Sequence, residues 1–133
     1  MIQSPQEQFH TETTGYSRES RVSWIGSKLA QSTGLPTERL DGLHHRIWMR
    51  ILQGELASNP PKDEIDQLAA HIVAVATLAE SSSAQGGAKA AIAAVMQASG
   101  ADLDPLLAQN FLRLASSPIF WLAMDSDGTP SAL

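Results

Sequence analysis

Cysteine is missing from this 133-residue chain altogether. Its absence excludes disulfides, thiolate zinc sites and thiol nucleophiles in one step. Positive charge is also scarce: Lys and Arg number 9 against 14 Asp and Glu, for a net charge of −5. No basic run concentrates what there is, so nucleic acid and anionic membrane have no electrostatic footing as partners. Nor does any apolar run reach the roughly 18 residues that a membrane helix needs. The opening stretch MIQSPQEQFHTETTGY is polar, lacks an apolar h-region and does not read as a secretory signal. A cytoplasmic protein is the expectation. Catalytic signatures are absent too. No HxxxH, HExxH or His-Asp dipeptide occurs; no Gly-Lys-Ser/Thr follows Gly86-Gly87, and no nucleophile elbow surrounds Ser81-Ser82-Ser83. Strand-like alternation and internal repeats are not seen.

What is present is helix. The length fits one domain, and 43% apolar with 17% charged residues fits a globular core dominated by alanine and leucine. Residues 1–16, rich in Gln, Thr and Ser, read as a disordered lead-in. Ser17 is placed to cap a helix with Val22, Ile25, Gly26, Leu29 and Thr33 on one stripe, ended by Gly34. Thr37 is placed to cap a second helix. Leu40, Leu43, His44, Ile47 and Ile51 share its face until Ser58-Asn59-Pro60-Pro61 stops it. A third runs from Lys62 to about Ala79, with Asp63 and Glu64 at the positive end of its dipole. Its broad stripe of Ile65, Leu68, Ala69, Ile72, Val73 and Ala76 marks it as the central helix. Ser81–Gly87 reads as a flexible link. A fourth helix, Ala88–Ala98, would pack through Ile92, Val95 and Met96. Asp104-Pro105 opens a fifth, with Leu107, Phe111 and Leu114 inward. Ser117-Pro118 begins a short turn in which Phe120 and Trp121 plug the bundle. The fold class is all-α: a compact bundle of about five helices over residues 17–125, followed by a loose tail at 126–133.

Four positions invite a functional question. His44 and His45 are neighbours, and on a helix they point about 100° apart. His44 lies on the apolar stripe, whereas His45 falls one turn after Asp41, an i,i+4 pair able to hold an imidazole. A metal site wants imidazoles and carboxylates converging, often with an acid behind each histidine, and Asp41–His45 could be such a fragment. The plainer alternative is a core-edge His44 beside a surface Asp–His pair. His71 flanks the central stripe and reads as a boundary histidine. Trp24 points off the first helix's apolar stripe, near Arg21 and Lys28. It could be an interaction anchor, since tryptophan is enriched in interface hot spots, or it could be covered by the N-terminal arm.

Three segments taken in order carry a family resemblance. "LHHRIW" resembles the opening of the HHExxDGxGYP motif, "AAHIVAVATLAES" resembles a helix of the type ARILAVADVFDAL, and "GADLDPLLAQNFLRL" resembles GTHFDPELVEAFL. Together they are similar to the C-terminal part of HD-GYP domains, over roughly residues 40–125. These are all-helical members of the HD superfamily of metal-dependent phosphohydrolases. The resemblance implies an HD-like helical fold and a two- or three-metal site that hydrolyses cyclic di-GMP, with His44 and His45 where the family's paired histidines stand.

The chemistry does not follow the fold. The motif's glutamate is Arg46 here, its aspartate Met49, its first glycine Arg50, and its GYP triplet Leu52-Gln53-Gly54. A metal-binding aspartate of the second segment falls on Thr77, and that helix's second acid on Glu80. The His-Asp ligands that precede the motif have no counterpart. A binuclear site needs about six or more carboxylate and imidazole ligands, and Arg46 and Arg50 would oppose cation binding. The expectation is therefore a non-catalytic, HD-GYP-like signalling or regulatory module. It would have no catalytic residues, no cofactor and no metal, with His44, His45 and Asp41 as vestigial candidates. Trp24 would serve as the interaction residue, and a protein partner or self-association as the mode of action. The alternative is a phosphohydrolase whose site is completed by another chain.

Overall fold

A computed structural model describes residues 3–53 and 63–127, with side chains described over 18–53 and 63–124. Five helices lie among the described residues: α1 (Gln3–Ser32), α2 (Thr37–Gln53), α3 (Glu64–Ala98), α4 (Pro105–Ala115) and α5 (Pro118–Asp127). The chain is all-α. The only sheet-like pairing among the described residues is an isolated bridge between Ser99 and Leu103.

Local chemistry sets several of the helix ends. The Asp63 carboxylate accepts from the Asp66 amide at 2.8 Å and caps α3, with Glu64 and Asp66 in the first turn, where the dipole favours acids. Asp104 repeats the device on α4, accepting from Leu107 N at 3.0 Å with Pro105 as the first helical residue. Gly34 follows α1 with φ +78°, a conformation that costs glycine little and other residues more.

Short side chains bring the helices together. On α3, Ala69, Ile72, Val75, Ala76 and Ala79 are fully buried, and this helix packs against α1, α2 and α4. Alanine at these positions lets neighbouring backbones approach without leaving voids. Gly26 on α1 does the same: an added Cβ would lie 3.2 Å from Ile47 Cγ2 on α2 and 3.5 Å from Ile72 Cγ2 on α3. In the same core Ile25, Leu29, Leu43 and Phe111 are sealed from solvent. Burial of a side chain of this size contributes about 1.5–3 kcal/mol. Gly26 lies near Ile72 and Arg18 near Glu80, so α1 and α3 run in opposite directions.

The expected stripes of α1, α2 and α4 face the core, but several boundaries differ. Ser17 does not start a helix; α1 begins at Gln3 and continues through the stretch read as a lead-in. Thr37 lies within the first turn of α2, and the Pro36 carbonyl takes the first helical bond, from Leu40 N at 2.9 Å. The stop expected at Ser58–Pro61 lies outside the described residues.

The link expected over Ser81–Gly87 is helical up to Gln85. Ser81 Oγ donates to Leu78 O at 3.3 Å and Ser83 Oγ to Glu80 O at 2.9 Å, so the serines turn back onto the helix they were expected to end. The break is confined to Gly86 (φ −139°, ψ 15°) and Gly87 (φ 80°, ψ −168°). Two expected helices are thus one kinked element, and the expected C-terminal turn is a full helix, α5. Met96 is 60% exposed instead of packed, and Ala91 and Val95 hold that half of α3 to the core.

Candidate functional site

Helix α2 carries the histidine pair, and its two sides do different work. The inner side buries Leu43 and Ile47, with Leu40 and Ile51 partly covered. Arg46 and Arg50, one turn apart, reach to the start of α3. Arg46 Nη2 meets Asp63 Oδ2 at 3.4 Å, and Arg50 Nη2 meets Asp66 Oδ2 at 3.1 Å. The Arg50–Asp66 pair is well shielded, its side chains 12% and 18% exposed. Arg46 and Arg50 therefore clasp α2 to α3.

The candidate metal residues do not converge. His44 is half-buried, and its Nε2 is shielded from solvent with no hydrogen-bond partner among the described residues. His45 and Asp41 are exposed on the outer side of α2. Met49 is 39% exposed, and Thr77 is exposed on α3, so the two positions where the expected resemblance would want aspartates both face solvent. His71 is half-buried. Among the described residues, no group of three or more His, Asp or Glu side chains is placed to hold a metal ion.

Glu80 is the exception to solvation. It is 3% exposed, the one buried charged side chain among the described residues, and its Oε1 takes the Arg18 Nε hydrogen at 3.3 Å. Arg18 itself is largely in water, its side chain 62% exposed. The pair joins α1 to α3 at the edge of the core.

Trp24, read either as an interaction anchor or as covered by the N-terminal arm, is half-buried against α5. Its ring packs on Phe120 of α5 at 5.0 Å between centroids, and Lys28 Nζ lies 5.3 Å over its face. Phe120 also meets Trp121 at 5.1 Å and Phe111 at 6.0 Å, both edge to face. Trp121 Nε1 donates to Ala115 O at 3.0 Å. Phe120 and Trp121 form the expected plug, and Trp24 is the part of α1 that receives it.

The outer side of α2 shows what the sequence reasoning passed over. Asp41, His45, the adjacent Trp48 and Met49, and Leu52 recur about once per helical turn, and all are exposed. The last three are large and apolar: Trp48 is 36% exposed, Met49 39% and Leu52 51%. The spacing was available as a signal, since these residues form a second apolar strip off the Leu43–Ile47 stripe. Against family models, curated proteins and solved structures alike, the chain has no match.

Proposed function

We propose that this chain works by contact, as an HD-GYP-like helical module in a signalling or regulatory assembly that binds a protein partner through the outer face of α2. One observation carries the reading: Trp48, Met49 and Leu52 stand together in solvent on a helix whose opposite face is core. A single exposed leucine is ordinary, but adjacent large apolar residues, tryptophan among them, are characteristic of interfaces. The Arg46–Asp63 and Arg50–Asp66 pairs support it by fixing the rotation of α2, which holds the apolar strip outward. The imidazole and carboxylate groups that phosphohydrolysis would use point in different directions, which favours contact over chemistry.

The test uses the full chain and two double variants: Trp48→Glu with Leu52→Lys on α2, and Ile119→Glu with Leu122→Lys on α5. Both sites are exposed, Ile119 by 72% and Leu122 by 66%. A partner isolated with the unmodified chain is purified and its affinity measured against all three forms. The α2 variant should lose at least 30-fold in affinity, and the α5 variant should bind as the unmodified chain does. Equal binding by all three would overturn the assignment of the surface. Chelator-sensitive hydrolysis of cyclic di-GMP by the unmodified chain, lost in His44→Ala, would overturn the reading itself.

A further inference from the structure

No further inference is drawn: the strongest candidate, the exposed apolar strip of Trp48, Met49 and Leu52 on α2, belongs to the site already described, and nothing in the structure shows what covers it.

Discussion

Replacing Arg18 by Met should destabilise the protein by about 2 kcal/mol, whereas replacing Glu80 by Leu should cost little or add stability. The asymmetry comes from where the two charges sit. The Glu80 side chain is 4% exposed and the Arg18 side chain 62% exposed, with 3.3 Å between Nε and Oε1. Removing the arginine leaves a carboxylate in the protein interior without the cation that compensates it. For a fully buried pair that loss is about 3–5 kcal/mol. Here one partner is solvated and the pair sits at the core's edge, so a figure of about 2 kcal/mol follows. Removing the glutamate strands nothing, because Arg18 can turn into water. Leucine also fills a similar volume at a position flanked on α3 by the buried Ala76 and Ala79. The double variant should then be at least as stable as the parent, with a coupling energy of roughly 1–2 kcal/mol. Urea unfolding followed by circular dichroism and tryptophan fluorescence measures all four corners. With a slope of about 1.5 kcal/mol/M, a loss of 2 kcal/mol moves the midpoint by about 1.3 M. If Arg18→Met moves it by less than about 0.3 M while Glu80→Leu moves it by more than 1 M, the burial argument is wrong.

The remaining predictions rest on single features. His44 Nε2 is buried without a hydrogen-bond partner among the described residues. His44→Leu should therefore leave stability within about 0.5 kcal/mol of the parent or raise it, while His44→Ala should cost about 1–3 kcal/mol through lost packing. His45→Ala, on the exposed side, should fall within about 0.5 kcal/mol; equal large losses at both histidines, rescued by added metal, would contradict the structural assignment. Gly87, at φ +80° and ψ −168°, should tolerate no side chain, and Gly87→Ala should cost about 1–3 kcal/mol in thermal or urea unfolding. A stabilised Gly87→Ala would show that α3 does not need the kink. Met49→Asp with Thr77→Asp should not produce hydrolysis of cyclic di-GMP with manganese, iron or magnesium. Both positions are solvent-facing, and turnover by this variant, measured by release of the linear dinucleotide, would refute that placement.

How far the fold could be read from the sequence depended on the kind of signal. Periodic apolar residues placed the cores of α1, α2 and α4 and the central role of α3, because a helix facing a core must repeat every three to four positions. Asp63 and Asp104 marked their helix starts, since a carboxylate before a first turn has amides to accept from. Ser17 and Ser81–Ser83 misled for the converse reason. A serine hydroxyl can bond back to a carbonyl three residues earlier within a helix, as Ser81 and Ser83 do, so its presence does not by itself end one. Glycine was the sharper marker: the interruption of α3 sits at Gly86 and Gly87. The exposure of Met96 and the cover over Trp24 were not legible, because each depends on where a distant helix lands, α5 in the case of Trp24.

The candidate site was less legible than the fold because a ligand set is a property of several helices at once. Two adjacent histidines on one helix point about 100° apart, so His44 and His45 could share a metal only if other elements delivered acids between them. What α1 and α3 deliver around the inner face of α2 near Ile47 is Gly26 and Ile72, and the nearby acids Asp63 and Asp66 pair with Arg46 and Arg50. The side chains between these helices thus make an apolar crossing and a salt-bridged clasp. The same clasp bears on function. Ion pairs that hold α2 against α3 determine which residues of α2 remain outside, and those are Trp48, Met49 and Leu52. Under the proposed reading Arg46 and Arg50 orient a binding face. Replacing Arg46 by Glu and Arg50 by Gly should therefore loosen α2 and weaken partner binding.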